Sequence, residues 1–147
     1  MTREELTRKI LEAKRSKGLT WEAIAHQLGR HKVWTAAALM GQHPLSRHEA
    51  ETVVEFLGLS PEAVDLLQEY PTRGSLGAAV PVDPTIYRFY EVIQVYGSAL
   101  KSLIHEMFGD GIMSAIDFEL DVERRPDPKG DRVIITFNGK FLPYKKF

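Results

Sequence analysis

The 147-residue chain contains no cysteine. A disulfide framework, a thiol nucleophile, a cysteine-ligated zinc site and an iron–sulfur cluster are therefore excluded. An excess of charge of one sign is also missing, because 19 Lys and Arg residues meet 20 Asp and Glu residues. Proteins that bind nucleic acids or membranes non-specifically usually carry a broad basic surface, which this composition does not provide.

Long apolar runs are absent as well. No uncharged stretch approaches the roughly 18 residues that cross a bilayer, and the charged start MTREELTRKILEAKR does not resemble a signal peptide. We therefore expect a cytoplasmic protein that has no membrane partner and no nucleic-acid partner.

In residues 1–70 the apolar side chains recur at helical spacing, which predicts four or five short helices. Thr2 (with Glu5 as its capping-box partner), Thr20 and Ser46 are expected as N-caps, and glycines close the helices. The last helix of the group is expected to begin at Pro61, since proline is favoured at the first helical position.

The second half changes pattern. Apolar residues three or four apart predict one helix of about six turns over Ile86–Phe108. Residues 116–123 then alternate between apolar and acidic side chains, which predicts a half-buried strand. A turn at residues 126–131 leads into a second strand, Val133–Phe137. The pair Asn138-Gly139 predicts a tight turn into a third strand, Lys140–Leu142.

These elements predict an α+β fold with a helical N-terminal domain over residues 1–75, a linker over 76–84 and a C-terminal domain over 85–147. One helix with two or three strands is too thin to be stable alone, and its sheet edges would be open. We therefore expect the C-terminal domain to interlock with a second copy in a homo-oligomer.

Residues 19–40, LTWEAIAHQLGRHKVWTAAALM, resemble a helix-turn-helix of the lambda-repressor-like kind, with Ala25 four residues before Gly29. The second helix offers Lys32 and a bulky Trp34 where base recognition needs Arg, Gln, Asn or Ser. Residues 1–70 also carry nine basic and ten acidic side chains. This favours a module that packs between subunits over one that binds DNA.

The five histidines do not predict a metal site. His26 and His31 are five residues apart, as are His43 and His48, so neither pair has the i, i+4 spacing that places two imidazoles on one helical face. His105 also lacks a second histidine at that spacing. We expect these residues to be surface or capping histidines.

Arg88 and Glu91 lie three residues apart and project from one face of the long helix. Such a pair is usually a surface ion pair of little energetic weight. Here the flanking residues are apolar or aromatic, and Arg88 is the only arginine between Arg73 and Arg124. A lone guanidinium among aromatic rings suits recognition of a small planar anion.

Ser114 follows Gly109 and Gly111, where the long helix gives way to the first strand. It can be a turn hydroxyl that satisfies local backbone groups, or a donor to a bound anion. The chain has no Gly-x-Ser-x-Gly motif, so a nucleophilic triad is not indicated.

The run DPTIYRFYEVIQVYGSALKSLIHEMFGDGIMSAIDFELDV, residues 83–122, and the terminal GKFLPYKKF closely resemble the cyanase (cyanate hydratase) family. The N-terminal part is looser but contains the family's LTWEAIA and PTRGSL stretches. The resemblance implies a lyase that decomposes cyanate to ammonia and carbon dioxide via carbamate, with bicarbonate as co-substrate and no metal or other cofactor. It implies Arg88, Glu91 and Ser114 as catalytic residues, with Arg88 and Ser114 binding substrate.

The resemblance also implies interlocked dimers that assemble into a homodecamer, active sites between subunits, and an N-terminal bundle that does not bind DNA. Whether Glu91 orients Arg88 or transfers a proton stays open, as does the purpose of the reaction, either detoxification or nitrogen supply. Two alternatives remain: a helix-turn-helix regulator with a small-anion effector site, and a purely structural oligomerisation module.

Overall fold

The structure, a computed structural model, describes residues 1–74 and 76–147 and divides the chain into two compact units, Met1–Ser75 and Leu76–Phe147. The first unit is helical, and the second combines one long helix with a two-stranded antiparallel sheet. The predicted α+β class is thereby confirmed.

The first unit contains five short helices, in agreement with the four or five predicted. They are α1 Arg3–Ser16, α2 Trp21–Leu28, α3 Lys32–Leu39, α4 Arg47–Leu57 and α5 Ala63–Gln68. The three predicted N-caps are confirmed. At α1, for example, the Thr2 hydroxyl accepts from the Glu5 N–H at 3.1 Å while the Glu5 carboxylate accepts from the Thr2 N–H at 2.7 Å. Each bond satisfies an N–H group that the helix itself leaves without a partner.

The prediction for α5 is wrong by two residues. The helix begins at Ala63 rather than Pro61, because Ser60, Pro61 and Glu62 form a turn closed by an Ala63 N–H bond to the Ser60 carbonyl at 3.0 Å. Among the described residues, no side chain forms a capping hydrogen bond to this helix.

The core of the first unit is made by aliphatic side chains from all five helices. Fully buried members are Leu6, Ile10, Ile24, Leu39, Leu57 and Leu67. α2 and α3 pack as a helix-turn-helix, with Ala25 buried and Gly29 ending α2 at φ +63°. Because glycine has no Cβ, it adopts this left-handed conformation and ends the helix without steric strain.

Trp34 has a role inside its own unit. Its ring packs against the hydrophobic core, stacks on His43 at 5.9 Å between ring centroids and lies 5.3 Å below the Arg30 guanidinium. Contacts within its own unit thus hold this ring, and packing of the helical module between subunits stays a prediction.

Glu49 ties the start of α4 to the turn before α3. Its carboxylate accepts from the Arg30 Nε at 2.6 Å and from the Ser46 N–H at 2.8 Å, and the residue is 7% exposed. Burial alone would raise the pKa of Glu49. The hydrogen bonds from Ser46 and Arg30 outweigh it and hold the pKa below its ordinary value.

The first element of the second unit is the helix α6, Pro84–Phe108, which confirms the predicted long helix. Asp83 caps it by accepting from the N–H groups of Thr85 and Ile86 at 2.9 and 3.0 Å, and proline occupies the first turn. The strands β1, Gly111–Arg125, and β2, Arg132–Pro143, follow as one antiparallel hairpin around the predicted turn.

Asn138-Gly139 is not a turn, and no third strand follows it in the described residues. β2 continues through both residues, and Gly139 lies opposite Phe118 in the sheet. A two-residue turn of the type this dipeptide favours requires positive φ at both central positions. Neither residue has one, so the hairpin prediction here is wrong.

Most of the surface of the long helix α6 is exposed. No residue of α6 is buried, and the stretches 91–96 and 98–103 are exposed throughout. Its apolar side chains are about half exposed, among them Phe89, Ile93, Tyr96, Leu100 and Leu103. A helix with an apolar stripe normally buries that stripe against another element, and within the described part of this unit none does so.

Candidate active site

Arg88 and Glu91 form the expected ion pair on the first turns of α6. The Arg88 Nη1 donates to the Glu91 Oε2 at 3.2 Å, and the side chains are 64% and 50% exposed. The guanidinium carbon lies 5.7 Å from the centroid of the Tyr87 ring. An arginine has five N–H donors, and this ion pair engages one of them. Most of the planar fork is therefore available to an anion.

Ser114 lies at a bulge in β1. Met113 pairs with Phe141 and Phe118 with Gly139, so four residues of β1 face one residue of β2. The Ser114 Oγ accepts from the N–H groups of Ile116 at 3.0 Å and Asp117 at 2.9 Å. The side chain thus closes the bulge by satisfying two amides inside it, which is the turn role that the sequence suggested.

The same contacts define what Ser114 can still do. A hydroxyl has one donor hydrogen and two acceptor lone pairs. Both lone pairs accept backbone N–H groups, so the O–H donor is the group left for a ligand. The residue is 4% exposed, and its orientation is fixed from two directions. This arrangement suits an oriented hydrogen-bond donor better than a nucleophile, which would need a free lone pair.

The bulge is the part of the site that sequence reasoning missed. Alternation placed Ile116 on the buried face of a regular strand, but it lies in the bulge and is 97% exposed. Bulges re-aim side chains and occur preferentially beside functional sites. Because Ile116 fits the alternation of the strand, the local sequence gives no signal of the bulge, which depends on pairing with β2.

Arg88 and Ser114 of one chain do not come together. Phe108 follows Arg88 by 20 positions in α6, which is about 30 Å along the axis. The hairpin could shorten this distance only by running back along α6. It would then cover residues 91–103, and those are exposed apart from a half-buried Gly97.

Among the described residues, no group of three or more His, Asp or Glu side chains lies close enough to hold a metal ion. His31 instead caps α3, with its Nδ1 accepting from the Val33 N–H at 3.2 Å, as expected for a capping histidine. In the part of the chain the structure describes, no helix is both long and apolar enough to span a membrane.

Arg88 thus offers an exposed guanidinium and Ser114, at a separate place in the chain, an oriented hydroxyl donor, and both groups can hydrogen-bond the oxygens of small anions. Two family models divide the chain between them: residues 3–71 match the cyanate hydratase N-terminal domain, and residues 78–146 match the cyanate lyase C-terminal domain. The chain therefore belongs to the cyanate lyase family.

Individual relatives agree with this assignment. A cyanate hydratase of Mycolicibacterium vanbaalenii is 60% identical over 98% of this chain and 94% of its own length. That of Thiobacillus denitrificans is 57% identical over the whole of both chains. The crystal structure of cyanase from T. urticae is 44% identical, with a TM-score of 0.83 over 94% of this chain and 96% of that one.

The resemblance seen in residues 83–147 is thus confirmed and extends over the N-terminal unit. Membership of this family makes the chain a lyase and gives no support to the helix-turn-helix regulator. The roles of Arg88, Glu91 and Ser114 stay predictions.

Proposed function

We propose that the protein decomposes cyanate, with bicarbonate as co-substrate, to ammonia and carbon dioxide. The observation that carries the proposal is identity of 53–60% to cyanate hydratases over nearly the whole chain. The exposed fork of Arg88 and the fixed donor of Ser114 support it, because both substrates are small anions with oxygen acceptors.

The proposed reaction balances without a redox step. A bicarbonate oxygen adds to the cyanate carbon, and the bicarbonate proton passes to the cyanate nitrogen, which gives a mixed anhydride dianion. Its C–O bond to the carboxyl group breaks and releases one carbon dioxide, and a proton from solvent completes carbamate. Carbamate takes a second proton, its C–N bond breaks, and ammonia and a second carbon dioxide leave. No cofactor is needed in this scheme.

Arg88 has an electrostatic role in the proposal. Two monoanions about 4 Å apart repel by about 4 kcal/mol at an effective dielectric constant near 20. The dianion that follows holds both charges in one molecule. A guanidinium that donates two hydrogen bonds to its oxygens offsets this repulsion and stabilises the intermediate.

Ser114 supplies the orienting contact. Its O–H donates to an oxygen of one substrate, and the two backbone amides on its Oγ keep the hydroxyl from rotating away. Holding the reactants in the correct geometry accounts for much of the acceleration in a reaction between two small molecules.

Glu91 is proposed as a positioning residue for Arg88. The 3.2 Å ion pair supports this role, since it fixes one edge of the guanidinium and leaves the rest of the fork free.

We further propose that the site lies between copies of the chain, in interlocked dimers that assemble into a decamer. The exposed stripe of α6 and the separation of Arg88 from Ser114 support an interfacial site, because the described residues of the second unit neither cover the helix nor join the two residues. The decamer itself rests on the resemblance to the family. Light scattering at micromolar concentration should give ten times the chain mass of 16.7 kDa. A stable monomer would contradict the interfacial site.

The activity is tested by mixing the purified protein with cyanate, with and without added bicarbonate in degassed buffer, and measuring ammonia. We expect release that depends on bicarbonate. Absence of ammonia under both conditions would refute the proposed reaction, and release independent of bicarbonate would refute the co-substrate.

A further inference from the structure

Gly139 lies inside a strand, although the preceding Asn138 makes its sequence typical of a turn. It follows Asn138 inside β2, opposite Phe118, at the end of the bulge that holds Ser114. Its φ is not positive, so glycine is not required there by backbone conformation. Another reason must explain a residue that weakens a strand interior.

The reason is space. A Cβ atom built on Gly139 would overlap the backbone oxygen of Ser114 and come within 2.5 Å of the Met113 Cγ. Real Cβ atoms essentially never approach another heavy atom closer than 3.0 Å. The methionine side chain can move aside, but the Ser114 oxygen can move only if the Ser114 backbone moves.

We infer that Gly139 is a positioning residue for Ser114, and this inference rests on the proposed function. The bare Cα of Gly139 lets the bulged backbone of β1 lie against β2. That backbone position in turn places the Ser114 Oγ within reach of the Ile116 and Asp117 amides and so directs its O–H. A side chain at position 139 displaces the Ser114 carbonyl and rotates the donor out of its direction.

The first experiment is a double-mutant cycle on the assembled protein, using Gly139→Ala, Ser114→Ala and both together. We expect Gly139→Ala to lower kcat about 100-fold, the loss typical of a displacement near 1 Å. The double variant should lose no more than Ser114→Ala alone, because Gly139 acts through the hydroxyl. The inference would be overturned if the losses of the two single variants multiplied in the double variant, or if either single variant kept the wild-type kcat.

The second experiment does not depend on catalysis. Hydrogen exchange followed by mass spectrometry on peptides spanning residues 114–118 reports the two amides that Ser114 protects. We expect Gly139→Ala and Ser114→Ala to accelerate exchange there to the same extent, roughly tenfold or more, with peptides from residues 119–125 unchanged. Unchanged exchange in Gly139→Ala would overturn the inference, whether or not the wild-type protein releases ammonia. A wild-type protein that releases no ammonia would instead refute the proposed function.

Gly111→Ala serves as the matched control. It also crowds the hairpin, but against the Leu142 oxygen and the Phe141 ring, not against Ser114. We expect lower stability with slow exchange retained at residues 116 and 117. If Gly111→Ala changed the exchange and kcat as much as Gly139→Ala does, any crowding of the hairpin would produce these effects, and the specific role of Gly139 would be refuted.

If Gly139→Ala fails to assemble, Met113→Ala combined with Gly139→Ala relieves the contact with Met113 Cγ and leaves the contact with Ser114. This double variant should assemble, exchange rapidly at residues 116 and 117 and lose activity. Full activity would contradict the inference.

Discussion

Replacing Arg88 with lysine keeps the positive charge and removes the planar fork. Lysine can still pair with Glu91, so the charge balance of the helix does not change. A single charge-assisted hydrogen bond contributes about 1.5–3 kcal/mol. If one such bond to the dianionic intermediate is lost, kcat/KM should fall about 100-fold, which corresponds to about 2.7 kcal/mol of transition-state stabilisation.

Stability should barely change. The ion pair joins side chains that are 64% and 50% exposed, and exposed pairs of this kind contribute at most about 1 kcal/mol. We therefore expect the free energy of unfolding to stay within about 0.5 kcal/mol of the wild type. The same oligomer should form, since the change adds no bulk to α6.

The assay is ammonia release at saturating bicarbonate over a range of cyanate concentrations, with light scattering and thermal unfolding on the same samples. Arg47→Lys is the matched control, because Arg47 and Glu51 form an exposed helical ion pair of 2.9 Å in the N-terminal unit. It should retain wild-type kcat/KM.

Two results would refute the reasoning. Activity within threefold of wild type in Arg88→Lys would remove the fork from the mechanism. A loss of activity that follows dissociation of the oligomer would make Arg88 a structural residue.

Three further predictions concern other residues. Ser114→Ala should lower kcat about 100-fold, as loss of an oriented donor does, and also destabilise the hairpin, because two amides lose their acceptor; a fall in thermal stability alone would leave Ser114 only its turn role. Thr35→Val should raise the free energy of unfolding of the N-terminal unit by about 1 kcal/mol in denaturant titrations, since the fully buried Thr35 hydroxyl has no partner among the described residues; a destabilised variant would contradict this. Because the pKa of Glu49 is lower in the folded protein, this carboxylate stabilises the fold at pH values above about 4.3, the pKa of a glutamate in an unfolded chain, and the stabilisation is lost as the pH falls through the folded pKa. Glu49→Gln should therefore flatten the acid side of a plot of melting temperature against pH. An unchanged slope would rule out this contribution.

The helices were predictable because their signals are local. Thr2, Thr20 and Ser46 cap helices with bonds to amides three residues away, and the period of α6 continues over 25 residues. Such patterns need no knowledge of distant contacts. The start of α5 was misplaced because Pro61 is equally compatible with a turn.

The strands were harder because their geometry depends on residues far apart in the chain. Asn138-Gly139 favours a turn when taken alone, yet the bulge at Ser114 requires glycine in an extended strand. The residues of the candidate site were identified from the sequence, mainly through the family resemblance. Their separation within one chain was not, since it depends on the hairpin leaving α6 exposed in the described part of the second unit.

The length of α6 has a genetic consequence. If the proposed site takes its arginine from one chain and its serine from another, intact sites can form from two defective chains. Cells that express an Arg88 variant and a Ser114 variant together would form mixed oligomers, in which some sites receive both intact residues. Two inactive alleles would then complement each other, whereas either allele expressed with the wild type would inactivate some of the sites that the wild-type chains share.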